Sequence, residues 1–327
     1  MLQLSLACYH YDRTEALRDG RVRPEGIDLN YLDLRVEEIF WRMLQHREFD
    51  AAELSFGGYV VRRARGEEDI VAIPVFPSRF FRHSCVFVNA ASGIERPEDL
   101  RGKRVGVPEY QMTAAVWVRG IFADDYGVDP RDVEWIQGGL EEPGRVPFEP
   151  VQPSGVTLGF APEGQSLATM LEAGTIDALV TARSPSTFRG GEGPVRRLFE
   201  DPWSVERDYF ARTKIFPIMH TVGIKAELLE EHPWVAGTLT KAFTAAKELC
   251  TRELSQTSAL PVTLPFLTEH ALATRRLMGD DFWPYGLEAN RATLETFVRY
   301  MHEQGLIDAP MAIESLFAPE TLDTFRI

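Results

Sequence analysis

The sequence predicts two α/β lobes with a ligand cleft between them and a helical C-terminal segment. Three observations predict it. Strand-like and helix-like segments alternate through the first two-thirds of the chain, the alternation restarts near Cys85, and the apolar periodicity becomes helical from Pro233 onward. At 327 residues with 44% hydrophobic content, the chain is large enough for one big domain or two lobes.

Residues 2–7 read as the first strand, and the helix after it includes residues 14–19. Residues 27–32 follow the turn Arg23-Pro24-Glu25-Gly26 as a second strand. Within 36–46, apolar residues recur at Val36, Ile39, Phe40, Met43 and Leu44, a helical period. Residues 49–54 form a short strand running into a helix that starts near Ser55 or Phe56, and the β-rich run 71–76 ends at Pro77. This order predicts a largely parallel sheet with helices on both faces.

The second unit opens with a strand at 85–89. A turn at Arg101-Gly102-Lys103 runs into a strand ending at Val107, and residues 108–111 lead into a helix over 112–124. A strand at 133–137 precedes a stretch from Gly138 to Gly164 rich in Gly and Pro, which reads as an irregular loop or hairpin. Residues 167–173 are helical with Gly174 as C-cap, and 176–181 is a buried strand ending in Ala182-Arg183-Ser184-Pro185. Residues 216–224 read as another strand, and 234–254, 270–278 and 289–304 as helices. The first lobe then comprises residues 1–84 plus 222–327, and the second 85–221. Ligands of open α/β sheets sit beyond the carboxyl ends of strands. The tips at 9–13, 53–55, 77–84, 108–113, 181–185 and 219–221 are therefore expected to face the cleft.

The net charge of −14 argues against broad binding to nucleic acid or to an anionic membrane, so neither is expected as a partner. No apolar run reaches the roughly 20 residues of a membrane helix. The start, LSLAC, looks like a lipoprotein cleavage site, but it lacks a basic n-region and an h-region of roughly 7–15 residues. Three cysteines, Cys8, Cys85 and Cys250, form no CxxC pair. These features predict a cytoplasmic location.

The segment VAIPVFPSRFFRHS at 71–84 delivers Arg79, Arg82, His83 and Ser84 at one strand tip. Arg presents a planar fork of donors that matches a carboxylate, and His moves protons near neutral pH. Arg183 comes from the other lobe, and Thr113 lies at a helix N-terminus, where free N–H groups favour anions. His10, His83 and His220 each fall at an expected tip, and Glu53 follows the apolar pair Ala51-Ala52 at a strand end. Tyr110, Phe80, Phe81 and Tyr285 are candidates to pack on a ring. Each residue also has a plainer reading: a surface ion pair for an Arg, a helix cap for Thr113, a satisfied polar group for a His, core for an aromatic. Three histidines plus Glu53 could hold zinc or iron, but no HxH or HExxH spacing supports this, and no metal or other cofactor is expected. The chain shows no P-loop, GxGxxG, GxSxG or pyridoxal-phosphate lysine motif.

The blocks CYHYDRTEAL (8–17), RPEGIDLNYL (23–32), IPVFPSRFFRHS (73–84), GKRVGVPEYQMTAAVWVRG (102–120) and FWPYGLEANR (282–291) resemble the 4,5-dihydroxyphthalate decarboxylase family. The resemblance runs over nearly the whole chain. It implies a type 2 periplasmic-binding-protein-like fold and the loss of one carboxylate from a dihydroxylated phthalate, giving protocatechuate and CO2. That chemistry needs a clamp for two carboxylates, an acceptor for the phenol and a proton donor over the ring. On this reading Arg79, Arg82 and Arg183 are the clamp candidates, with Ser84, Thr113 and Tyr110 also in the binding site. His83 or His220 donates the proton, and His10 polarises the phenol with Asp12 or Glu53 orienting it. A buried Glu53 is expected to have a raised pKa and to act as acid or base, or else to pair with Arg79 or Arg82. The alternatives are a non-catalytic cytoplasmic binding protein or sensor for an aromatic acid, and a pyrimidine-forming thiamine synthase on a related fold. The sparse cysteines give the synthase little support, because that chemistry favours a Cys- and His-rich metal site. The helical C-terminal third is compatible with a homo-oligomer.

Overall fold

Among the described residues, short β-rich runs punctuated by Gly and Pro build eleven strands. In chain order they are β1 (Leu2–Cys8), β2 (Ile27–Asp33), β3 (Ala51–Ser55), β4 (Ile70–Ile73), β5 (Val86–Asn89), β6 (Arg104–Val107), β7 (Glu134–Gln137), β8 (Thr157–Phe160), β9 (Ala178–Val180), β10 (Val195–Arg197) and β11 (His220–Lys225). The structure, a computed structural model, describes residues 1–145, 147 and 149–322. Five strands form one sheet in the order β2-β1-β3-β11-β4, and six form a second in the order β10-β5-β9-β6-β7-β8. The chain leaves the first sheet after β4 and returns to it only with β11.

The first sheet is not largely parallel, as the alternation of elements suggests. β1 pairs in parallel with β2 and β3, but β11 inserts antiparallel between β3 and β4. A strand returning from a distant lobe leaves no mark of its direction in the sequence. Several strands are also shorter than their apolar runs, β4, β9 and β11 among them. β4 stops at Ile73 because Pro74 has no N–H for a ladder, and β11 starts at His220, past Pro217. The Gly- and Pro-rich stretch 138–164 contains β8, a mostly exposed strand at the edge of the second sheet with no apolar alternation to announce it. β10 and the helices Pro202–Thr213 and Ala226–Glu231 are further elements not expected from the pattern.

The helices follow their periodicity closely. Val36–His46 buries Ile39, Phe40, Met43 and Leu44 and stops where Arg47 turns left-handed. Leu167–Ala173 stops at Gly174, whose φ of 73° is readily adopted only without a Cβ. Thr113–Tyr126 is buried almost all round, consistent with its place between layers. In the C-terminal third, Trp234–Glu253 packs on the short helix Glu15–Arg18 beside the first sheet. Arg291–Glu303 packs instead against Thr113–Tyr126. There the Tyr300 hydroxyl donates to Asp124 at 2.6 Å and Arg119 Nε to Gln304 Oε1 at 2.7 Å. Residues 222–322 therefore brace both halves; residues 323–327 lie outside the described residues. Among the described residues no helix is long and apolar enough to cross a membrane.

The two halves meet at Gly57, in the first turn of helix Phe56–Ala64. A Cβ there would sit 2.6 Å from the backbone oxygen of Gln111. Gly57→Ala is expected to lower stability by about 1–3 kcal/mol, since backbone rather than a flexible side chain must yield. Gly237→Ala, in the helix Trp234–Glu253 with nothing within 4 Å of its Cβ, is expected to add about 0.5–1 kcal/mol. Urea midpoints of the two variants against the parent measure both.

Candidate active site

β3 runs through the middle of the first sheet, so Glu53 is fully buried, and its carboxylate must find donors or charge partners. The register supplies them. His220 opposes Ser55 on β3, which puts it diagonally across from Glu53 on the same face of the sheet. The His220 Nδ1 lies 2.6 Å from Glu53 Oε1. The Tyr11 hydroxyl donates to the same oxygen at 2.6 Å, and the Tyr9 N–H and the Cys8 thiol reach Oε2 at 3.0 and 3.6 Å.

Burial alone would raise the Glu53 pKa, but the His220 hydrogen bond and charge, with those from Tyr11 and Tyr9, outweigh it and hold the group below the ordinary carboxylate value. This corrects the expectation of a raised Glu53. Burial and the adjacent Glu53 charge push the Tyr11 phenol and the Cys8 thiol well up, so both remain protonated. Glu53 is thus an anion that only accepts, and His220 must carry its proton on Nδ1 toward it. The Nε2 atom makes no hydrogen bond to any described residue, and the His220 ring lines the hollow between the two sheets.

That hollow has a volume of about 230 Å³. Arg82 enters it from the segment after β4. Its Nε points at the Met219 sulfur at 3.0 Å, and Nη1 lies 3.4 Å from the Ala182 carbonyl. Arg82 is 7% exposed and has no carboxylate within 4 Å among the described residues. A buried guanidinium held only by neutral groups is poised for an anion. Met219 ties it to the acid–base pair, because His220 is the next residue. Ser78 O holds both the Met219 and His220 N–H groups, at 2.9 and 3.2 Å.

Three helix N-termini also open on the hollow. Val36 and Glu37 begin one helix, Ser55 and Gly58 flank the start of the second, and Met112, Thr113 and Ala114 begin the third. Each places the positive end of a helix dipole toward a ligand. The Thr113 Oγ1 accepts from Gly57 N–H at 2.9 Å and sits 3.0 Å from Ser55 Oγ, closing the seam between the halves. At the mouth, Arg183 reaches across to Glu37 at 2.5 Å. On the far wall, Arg145 Nε donates to Glu109 at 2.7 Å.

Of the residues expected from the sequence, Arg82, Thr113, Arg183 and His220 line this hollow, and Glu53 stands directly behind His220. The others are elsewhere. His83 is buried between Phe199 and Tyr209, and neither ring nitrogen has a hydrogen-bond partner among the described residues. His10 is half exposed beyond β1, paired to Asp33 at 3.1 Å, so it polarises nothing in the hollow. Arg79 is buried and spent on the carbonyls of Phe216 and Pro284 and on the Asn290 side chain, which fasten the 283–290 segment to the fold. Burial without an acidic partner lowers its pKa to about 9. Ser84 contributes its N–H to Glu206 at 3.1 Å. Tyr110 is a core residue under the Arg119 guanidinium. Among the described residues no group of three His, Cys, Asp or Glu could hold a metal ion, and the three histidines do not converge.

Glu37, Gln111 and Arg145 were not anticipated. Gln111 stands in the VGVPEYQ block at an expected strand tip, and that position was the available signal. Arg145 lies in an irregular loop, where no periodicity assigns direction.

The whole chain is 44% identical, over 327 residues and 99% of the relative, to a Comamonas testosteroni protein named 4,5-dihydroxyphthalate decarboxylase. A Pseudomonas putida protein of the same name is 42% identical over 210 residues, 64% of this chain and 81% of the relative. A family model described as NMT1/THI5 like matches residues 23–142. Among solved structures, the periplasmic aliphatic sulphonate binding protein SsuA of Escherichia coli aligns with a TM-score of 0.55 at 13% identity, covering 98% of this chain and 99% of that one. A mutant of the desulfurization enzyme DSZB, in complex with biphenyl-2-sulfinic acid, aligns with a TM-score of 0.55 at 17% identity, covering 98% and 97%. At these identities the structural likeness establishes the fold, that of the type 2 periplasmic binding proteins.

His83 generates a pH test of the fold. Burial lowers its pKa from the ordinary 6.5 to about 4, so the folded state keeps it neutral while the unfolded chain takes up a proton. Its contribution is intact above pH 6.5 and is lost as pH falls toward 4, amounting to about 3 kcal/mol. Urea unfolding of His83→Leu is expected to show a loss relative to the parent at pH 7.5 that shrinks by about 2 kcal/mol at pH 4.5.

Proposed function

Because the chain belongs to the 4,5-dihydroxyphthalate decarboxylase family, we propose that it removes one carboxylate from 4,5-dihydroxyphthalate, releasing CO2 and protocatechuate. The observation that carries this reading is the Glu53–His220 pair facing a hollow that also holds Arg82, which has no acidic partner among the described residues.

An aryl anion is too unstable to be the leaving partner of CO2, so the ring must be protonated first. A hydroxyl para to the departing carboxylate pushes electron density onto the carbon that carries it. His220, protonated on both nitrogens, gives its Nε2 proton to that carbon, and a ring π pair becomes the new C–H bond. The bond to the carboxylate then breaks, its electron pair restores the aromatic ring, and CO2 leaves. Neutral His220 regains a proton from water. The Glu53 anion holds the ring orientation and stabilises the imidazolium before transfer. The two carboxylates of the substrate are equivalent by symmetry, so binding decides which one departs. The one held by Arg82 and the helix termini stays, and the one under His220 is lost. Arg183 stands at the mouth to close over the bound anion.

Free thiols at Cys8, Cys85 and Cys250 support a reducing, cytoplasmic setting. The exposed apolar side chains of Leu260, Val262, Leu264 and Phe266 support association of copies into a homo-oligomer.

The test is to mix the purified protein with 4,5-dihydroxyphthalate and to follow CO2 and the protocatechuate spectrum, with and without a chelator. Turnover is expected in both. Binding without CO2 release would instead favour a binding protein or sensor. His220→Asn is expected to lower kcat by about 10²-fold or more with little change in KM, and Glu53→Gln to lower kcat in the same sense. Arg82→Met is expected to raise KM by about 10–100-fold, the worth of a charge-assisted hydrogen bond.

A further inference from the structure

We propose that Gln111 determines specificity by accepting a hydrogen bond from a ring hydroxyl of the substrate, through a side-chain oxygen that has no partner among the described residues. This rests on the reaction proposed above and says how the site tells a hydroxylated phthalate from a bare one.

Gln111 lines the hollow and is 3% exposed. Its Nε2 donates to Glu109 Oε2 at 3.0 Å. The other oxygen of that carboxylate accepts from Arg145 Nε at 2.7 Å. The ion pair keeps Glu109 an acceptor, so only the NH2 end of the Gln111 amide can face it. The orientation of the amide is thereby fixed, and Oε1 must point the other way. Among the described residues that buried Oε1 has no hydrogen-bond partner.

A buried carbonyl left without a donor costs about 1–3 kcal/mol, so a ligand that brings a donor gains there. Carboxylates cannot supply one, because both are ionised at neutral pH and would meet the amide oxygen with like polarity. Phenolic O–H groups are the donors on this substrate. The walls of the hollow sort the substrate's groups: Arg82 and the helix N-termini take the carboxylate that stays, His220 faces the one that is lost, and Gln111 takes a hydroxyl. A site with an acceptor committed to an O–H discriminates strongly against an analogue that lacks it.

The experiment compares 4,5-dihydroxyphthalate as substrate with phthalate and 4,5-difluorophthalate as competitive inhibitors. Neither inhibitor has a hydroxyl to donate, and both keep the carboxylate pair. In the parent protein both are expected to bind at least tenfold more weakly than 4,5-dihydroxyphthalate. In Gln111→Met, kcat/KM for 4,5-dihydroxyphthalate is expected to fall at least tenfold while both inhibition constants move less than threefold. Equal binding of the three ligands by the parent would overturn the proposal. So would a Gln111→Met variant in which kcat/KM and the inhibition constants change together, or in which neither changes. If that variant does not fold, the ligand comparison on the parent decides alone. If the parent releases no CO2, the reaction is wrong, and calorimetric Kd values for the same three ligands still judge Gln111.

Discussion

A carboxylate removed from water can stay charged only if donors surround it, and Glu53 meets that condition with His220, Tyr11, the Tyr9 N–H and Cys8. The rest of the site depends on this cluster. It requires β1, β3 and β11 to lie side by side, because each contributes a group or follows one that does. It fixes which nitrogen of His220 is committed inward and which faces a ligand. It also supplies the negative charge beside the imidazole that faces the hollow.

The antiparallel insertion of β11 is what makes the cluster possible. A parallel strand in that place would bring its opposite end to the cleft, and Lys225 rather than His220 would stand near Ser55. The same insertion ties Met219 to Ser78 and to Phe56, so the strand that carries the acid also fixes the segment that carries Arg82. Binding and proton transfer therefore share one framework, in line with the need for catalytic groups to be held rigidly.

Much of this was legible in the sequence. The period of Val36–His46, the Gly174 stop and the alternation of strands and helices are local signals, and local signals survive folding. Strand-tip logic then put Arg82, Thr113, Arg183 and His220 near one another. It failed for His83 because the chain leaves the extended run at Arg82 and enters a short helical turn, His83–Cys85, which carries the ring in between Phe199 and Tyr209. It failed for Arg79 because the carbonyls that hold it, at Phe216 and Pro284, are more than a hundred residues away. The partner of Glu53 was likewise out of reach, since a carboxyl pKa follows from its neighbours rather than from its place in the chain.

Backbone dipoles at the starts of three helices cannot be removed by exchanging side chains. The hollow therefore keeps an attraction for acids as its side chains change. Descent within such a scaffold has a built-in bias. Substitutions at its walls can retune which acid is held, or what is done to it, while the grip on negative charge is inherited unchanged.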